Sequence, residues 1–278
     1  AGHGRVERVT DTQLDDISDI LIQSLKGRVK SDVPLGLFLS SGVDSTLIAA
    51  LLKKELNSED FIALTVAYGR GTDKDESADA AKIADYLGIN HTIVDSSVDQ
   101  HDYSLDRLHS IYGELNSGIT AFTVQQMSIL AKKYFTVALS GTGADEIFFG
   151  YDKYRFLYKY RYILTNKLIA SLFSFLRSKN IKMNRKLNTL SLLLSVDADD
   201  VLLSLKNIPF FSDKNIYKFY KGIGSLWYED LNSDNIVLQQ REFDLKIQLP
   251  GYIIPIIERS SMNASLEVRS PFLSKDLV

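Results

Sequence analysis

Two short segments carry residue types suited to gripping an anion. Ser40-Ser41-Gly42-Val43-Asp44-Ser45 follows the apolar run Leu35–Leu39 and opens a stretch with helical spacing. The first turn of a helix has unpaired N–H groups and a partial positive charge, so it attracts phosphate. Small residues let the backbone approach the anion closely, and the hydroxyls of Ser40 and Ser45 can donate further hydrogen bonds. Asp44 cannot usefully bind phosphate itself, but a carboxylate there suits a Mg²⁺ ion that bridges protein and phosphate oxygens. No Gly-Lys-Ser/Thr follows, so this is not a Walker loop, and it is not a dinucleotide fingerprint. Ser140-Gly141-Thr142-Gly143-Ala144-Asp145-Glu146 repeats the arrangement after a second apolar run, and Asp145 offers a second Mg²⁺ ligand opposite Asp44. The plainer reading of each loop is a helix cap, with Ser as N-cap and Asp favouring the helix dipole.

These loops need elements that hold them side by side. Leu14, Ile17, Leu21 and Leu25 recur at helical spacing behind a candidate N-cap, Thr12, and predict a helix over Thr12–Val29. Leu35–Leu39, Phe61–Ala67, His91–Val94 and Phe135–Leu139 read as strands. Helices are predicted after Ser45 through Leu56, over Asp75–Leu87, about Val98–Ile111 and Ala121–Tyr134, with another opening at Gly143. Strands alternating with helices of this length imply a parallel sheet covered on both faces. Ligands sit at the carboxyl ends of such strands, where both Ser/Gly loops fall. From Tyr151 the pattern turns helical, and Tyr151–Leu190 carries ten Lys and Arg against one Asp. Such a run reads as a solvated helical face, or alternatively as a surface for an acidic or phosphorylated partner or a membrane.

Composition narrows the classes. The chain has 278 residues, enough for a sizeable core, and a net charge of −3 that gives nucleic-acid binding no electrostatic support. The absence of cysteine excludes disulfides, thiolate metal sites and cysteine nucleophiles. The longest apolar run, near Leu168–Leu176, is about half of what a bilayer crossing needs. A cytoplasmic location without membrane association is expected. The organisation read from the pattern is a cloning remnant or linker over 1–11, a nucleotide-binding α/β core over 12–160, a helical region over 161–243, and a final segment, 244–278, that returns to the site.

Asp32-Val33-Pro34-Leu35-Gly36 running into Ser40–Ser45 resembles an S-G-G-x-D-S pyrophosphate loop. Val137–Tyr151 resembles V-x-L-S-G-x-G-A-D-E-x-F-x-G-Y, and Ser261–Leu273 resembles S-M-x-x-S-L-E-V-R-x-P-F-L. A weaker fourth match is Asp75-Glu76-Ser77 with Ala80. In this order they resemble the synthetase domain of glutamine-hydrolysing asparagine synthetase, and the β-lactam synthetases and lasso-peptide cyclases of the same superfamily. The resemblance implies an adenine-nucleotide α-hydrolase-like (PP-loop) α/β fold with a mostly parallel, five-stranded sheet. It implies ATP and Mg²⁺ as cofactors, with backbone contacts to ATP near Phe38, Tyr68, Ser140 and Gly141. Ser40, Gly42 and Ser45, with Ser41 in the loop, would hold the pyrophosphate, and Asp44 and Asp145 the Mg²⁺. A substrate carboxylate would be activated as an acyl-adenylate, then attacked by ammonia or an amine. Glu267 is the candidate acid/base or orienting carboxylate, and Arg269 would pair with it or with a carboxylate substrate. The plainer reading of both is an internal salt bridge.

The departures from the pattern bear on the acceptor. Ser41 stands where a Gly is usual, Leu115 follows Glu114 where a Pro is common, and Ile256-Ile257-Glu258-Arg259 stands for Lys-Val-Asp-Arg. Thr142 occupies the position of an acidic residue or a Tyr that helps manage the nucleophile's proton, and a Thr hydroxyl is a poor general base. The expected partners are a small-molecule carboxylate, aspartate or a related acceptor, and a glutaminase domain or separate ammonia source, with no nucleic acid. No amino-terminal Cys is present for glutamine hydrolysis, and the family's catalytic Lys lies beyond the last motif, so a carboxyl-terminally truncated fragment is expected. The alternative function is a non-catalytic nucleotide-binding homologue that has lost amidation chemistry.

Overall fold

A computed structural model describes residues 9–56, 60–68, 75–96, 105–113, 119–164 and 235–278. In chain order these form α1 (Asp11–Arg28), β1 (Leu35–Phe38), α2 (Val43–Lys54), β2 (Phe61–Ala67), α3 (Ser77–Leu87), β3 (His91–Asp95), α4 (Leu105–Tyr112) and α5 (Ile119–Ala131). β4 (Val137–Leu139), α6 (Ala144–Phe148), α7 (Asp152–Leu164), α8 (Ile236–Phe243), a π-helical stretch (Asp244–Ile253), α9 (Ile254–Asn263), β5 (Glu267–Arg269) and a 3₁₀ turn (Pro271–Leu273) follow. The chain divides into two compact units, one of Ala1–Ala144 with Tyr252–Val278, the other of Asp145–Gly251. The expected strands and helices recur with small shifts at their ends. The cap of α1 lies two residues before the expected one: Thr10, not Thr12, caps the helix, accepting from the Gln13 amide at 3.3 Å while the Gln13 side chain accepts from the Thr10 amide at 3.0 Å. This reciprocal pair satisfies two amide donors at once and outcompetes a single cap. Residues 97–104, Glu114, Leu115 and most of the helical, basic region expected after Tyr151 lie outside the described residues.

In the first unit the five strands form one sheet in the order β3-β2-β1-β4-β5, parallel at every pairing. That is the architecture expected of an adenine-nucleotide α-hydrolase-like fold. From β1 the chain builds outward through β2 and β3 on one side and through β4 and β5 on the other. The switch point therefore lies between β1 and β4, where loops leaving adjacent strands diverge and open a crevice.

The register places Leu35, Val137 and Glu267 abreast, then Gly36, Ala138 and Val268, then Leu37, Leu139 and Arg269. One sheet face buries Leu64, Ala138 and Leu266 against Ala131 and Phe135. Phe135, expected to start the fourth strand, instead precedes it and drives its ring, 2% exposed, beneath Gly36. A Cβ on Gly36 would stand 2.2 Å from that ring, so only glycine fits. α9 packs on α5 and α4 through the buried side chains of Ile256, Leu108, Tyr112 and Ala121. Tyr112 Oη pairs with the buried Ser260 hydroxyl, which fixes α9 in rotation.

Among the described residues of the second unit, α7 and α8 pack together over a buried carboxylate, Asp244. Lys153 Nζ donates to it at 2.6 Å, Tyr154 Oη at 2.5 Å and Gln240 Nε2 at 3.1 Å. Burial, and then the bond to Asp244, pushes the Tyr154 hydroxyl well above its ordinary pKa. Among the described residues no helix is long and apolar enough to cross a membrane.

Candidate active site

The loop after β1 is organised from within. Ser45 Oγ accepts from the Ser40 amide at 3.1 Å and lies 3.0 Å from Ser40 Oγ, which accepts from the Gly42 amide at 3.1 Å. These bonds hold the loop open as a ring of backbone and hydroxyl groups. Ser40 and Ser45 thus shape the loop before any ligand arrives. Gly42, not a serine, is the N-cap of α2, and no side chain caps that helix. A helix start of this kind accepts an anion directly. The Ser41 amide donates to Glu76 Oε2 at 3.3 Å. Glu76 belongs to the weakest of the sequence matches, and its contact with this loop had no sequence signal.

The loop after β4 lies against the first. A Cβ on Gly141 would stand 3.0 Å from Asp44 Cβ and 3.4 Å from the Ser45 amide nitrogen. The two loops expected to share a ligand are thus in contact at Gly141, Asp44 and Ser45. Ser140 donates its amide to the Arg269 carbonyl at 3.0 Å, and its hydroxyl pairs with that of Thr142 at 2.7 Å. Phe38 ends β1 with its ring edge-on to Phe135 at 6.0 Å. Tyr68 follows β2 and donates from its hydroxyl to the Thr123 carbonyl at 3.1 Å. Thr65 links the same strand end to its neighbours, donating to the Leu39 carbonyl at 2.7 Å and meeting His91 Nε2 at 2.8 Å.

Glu267 and Arg269 leave the backbone at different levels of β5, though their side chains meet. Arg269 ends β5 level with Leu139, beside the second loop, whereas Glu267 pairs with Val137 at the amino end. Two strand residues separate them by roughly 7 Å along the sheet. The structure brings the Arg269 backbone beside the loops and sets that of Glu267 two residues back, its half-exposed carboxylate reaching Arg269. Of the two partners expected for Arg269, Glu267 is the one seen: Nε donates to Glu267 Oε1 at 2.6 Å. Nη1 donates to the carbonyls of Arg28 and Lys30 at 2.8 and 2.7 Å, so Arg269 also closes the carboxyl end of α1. Arg28 returns the link through Ser24 Oγ at 2.7 Å and the Leu273 carbonyl at 3.2 Å. Burial, with the adjacent Arg269 charge, lowers the Arg28 pKa from its ordinary value. Leu273 in turn packs where a Cβ on Gly143 would stand, at 2.3 Å, and Gly143 adopts φ 93°. Arg28 carried no functional signal in the sequence, because a basic residue in the last turn of a helix reads as a dipole partner.

A cavity of about 250 Å³ opens beside this junction, with Thr142, Arg28, Arg269 and Glu258 on its walls. Ile254, Ile257 and Val268 supply its apolar lining. Asp145 belongs to the second unit. There its carboxylate presses on the Gly150 backbone, such that a Cβ on Gly150 would lie 2.0 Å from Asp145 Oδ1. Phe149, at φ 59°, makes the turn, and the Gly150 amide donates to the Asp145 carbonyl at 3.0 Å. The neighbouring Glu146, 1% exposed, accepts from Tyr151 Oη at 2.5 Å.

A five-stranded parallel sheet whose switch point carries two interlocking Ser/Gly loops defines the class: an α/β protein with a ligand site at its strand carboxyl ends. The asparagine synthase family model matches residues 16–278, and the chain belongs to that family. It is 26% identical over 280 residues to asparagine synthetase [glutamine-hydrolyzing] 1 of Bacillus subtilis (strain 168), covering 97% of this chain and 43% of the relative. A putative asparagine synthetase [glutamine-hydrolyzing] 2 of Methanocaldococcus jannaschii is 28% identical over 139 residues, 50% of this chain and 26% of that protein. The chain thus spans less than half the length of these curated relatives. An NH3-dependent NAD synthetase structure from Campylobacter jejuni aligns over 87% of this chain and 97% of that one, at 16% identity and a TM-score of 0.38.

Proposed function

We propose that the chain is the ligase domain of an amide-forming enzyme that activates a carboxylate with ATP, releasing pyrophosphate, and passes the acyl group to ammonia or an amine. The observation that carries this reading is the close contact of the two loops at Gly141, Asp44 and Ser45, where a Cβ on Gly141 would stand 3.0 Å from Asp44 Cβ. ATP would lie along the strand ends, against the backbone near Phe38, Tyr68, Ser140 and Gly141. The β and γ phosphates would meet the ring formed by Ser40, Ser41, Gly42 and Ser45 at the start of α2. Among the described residues no group of three His, Cys, Asp or Glu could hold a metal alone. Mg²⁺ on a nucleotide needs only one or two carboxylates beside phosphate oxygens and water, and Asp44 in the first turn of α2 suits that role, with Asp145 as the second ligand. Bound there, Mg²⁺ would offset charge on the departing pyrophosphate.

The acceptor carboxylate attacks the α-phosphorus, the bond from the α-phosphorus to the α,β-bridging oxygen breaks, and the helix start stabilises the leaving pyrophosphate. Arg269 acts as a positioning residue, tying β5 and the second loop to α1, and Glu267 orients Arg269. Thr142 stands at the cavity where the acyl group would be exposed. Its hydroxyl is engaged by Ser140, so it orients rather than removes a proton. The test is ATP–pyrophosphate exchange by the full-length protein over a panel of carboxylates, with Asp44→Ala beside the wild type. Carboxylate-dependent exchange that Asp44→Ala reduces by roughly 10²-fold or more supports the reading. Exchange equal in the two proteins would remove Asp44 from the site.

A further inference from the structure

Thr142 cannot manage the charge of an incoming nucleophile, yet the cavity it lines contains a carboxylate that the reading above does not use. We propose that Glu258 docks the incoming amine as its ammonium ion, a specificity-determining role in the amide-forming half-reaction; this rests on the ligase function proposed above. Residues 254, 257 and 258 follow helical spacing, and together they turn one face of α9 toward the cavity. The rotation of α9 is set from its other side, where Ile256 is 2% exposed and Ser260 is buried against Tyr112. Glu258 is therefore presented to the cavity by a fixed element.

Charge decides what Glu258 can attract. The other ionic walls are the guanidiniums of Arg28 and Arg269, which repel a cation. Their donors are directed to Ser24, Leu273, Glu267 and the carbonyls of Arg28 and Lys30. Among the described residues no hydrogen bond or ion pair engages the Glu258 carboxylate. A small ammonium ion entering this cavity thus has one place of favourable potential, Glu258, while the arginine side favours the acyl group's oxygen atoms. The volume of about 250 Å³ admits a small amine beside an acyl end. In the step itself the docked ammonium loses one proton to water, and its lone pair forms the C–N bond. The C–O bond to AMP then breaks, with the electron pair leaving on AMP, and a second proton passes from nitrogen to water.

The experiment compares two nucleophiles in the full-length protein. Hydroxylamine, uncharged at neutral pH, traps any acyl-adenylate as a hydroxamate and needs no cation site; ammonium chloride does. Hydroxamate formation over a panel of carboxylates first identifies an accepted acid. With that acid, Glu258→Gln is expected to lower the ratio of ammonium-dependent to hydroxylamine-dependent turnover roughly tenfold, through a higher KM for ammonium, which is the low end for a lost hydrogen bond to a charged group. Glu258→Asp, which keeps the charge, should restore most of the ratio. Hydroxamate formation with an unchanged ratio in Glu258→Gln overturns this inference alone. No hydroxamate from wild type with any carboxylate overturns the ligase reading, and this inference with it.

Discussion

Replacing Gly150 with alanine tests the proposed role of Asp145 without touching Asp145 itself. The new Cβ would stand 2.0 Å from Asp145 Oδ1, 3.0 Å from its Cγ and 3.1 Å from its Cα. Ordinary heavy-atom contacts lie near 3.5 Å. The carboxylate must therefore retreat by more than about 1 Å, or the Phe149–Tyr151 turn must move away from it. The Glu146–Tyr151 bond resists the second route, since breaking it would strand a buried carboxylate. Mg²⁺ tolerates little: its ligands sit near 2.0–2.1 Å in close to octahedral order. Disturbing a neighbour that orients a metal ligand typically costs about 10–100-fold in metal affinity. The assay is calorimetric titration of the full-length protein with ATP, with and without Mg²⁺. Gly150→Ala should keep metal-free ATP binding near wild type and lose roughly 10–100-fold in the metal-dependent part. Circular dichroism and a thermal melt would confirm the fold, because overpacking alone costs about 1–3 kcal/mol. A folded Gly150→Ala protein with wild-type Mg²⁺ dependence would refute the reasoning and remove Asp145 from the metal site.

Other expectations concern the frame that carries the loops. Gly36→Ala drives a methyl to 2.2 Å from the Phe135 ring and should destabilise by about 1–3 kcal/mol in urea. Phe135→Leu in the same chain should recover part of that loss, and additive costs would show that the clash is relieved elsewhere. His91 titrates against the fold. Thr65 spends its proton on the Leu39 carbonyl, so His91 Nε2 donates to Thr65 Oγ1, and burial lowers the His91 pKa below 6.5 with partial compensation from Asp85. A lowered folded-state pKa gives stability that is present above the unfolded value and lost as pH falls through the folded one. Wild-type stability relative to His91→Gln should therefore decline below about pH 6.5. A difference independent of pH would exclude this titration.

The loops were legible in the sequence because anion binding at a helix start is a local property. An apolar run, a few small residues and a helical period are contiguous, and Ser40–Ser45 and Ser140–Glu146 show all three. The same contiguity made β1 to β4 and their parallel pairing readable. β5 was not readable: Glu267-Val268-Arg269 carries a charge at each end, as an edge strand can, so no apolar run marks it. Register alone sets Glu267 two residues behind the loops and Arg269 beside them. Tertiary packing likewise decided that Arg28 and Arg269 brace one another, that Leu273 fills the space over Gly143, and that Glu258 shares a cavity with Thr142. Those partners are separated by more than a hundred residues of chain. Side-chain direction across such a separation follows from strand register and helix rotation, and both are set by which apolar faces bury one another. Sequence determined the residue types and the local turns that can hold a phosphate; the packed sheet and the rotation of α9 decided which charged groups stand around them.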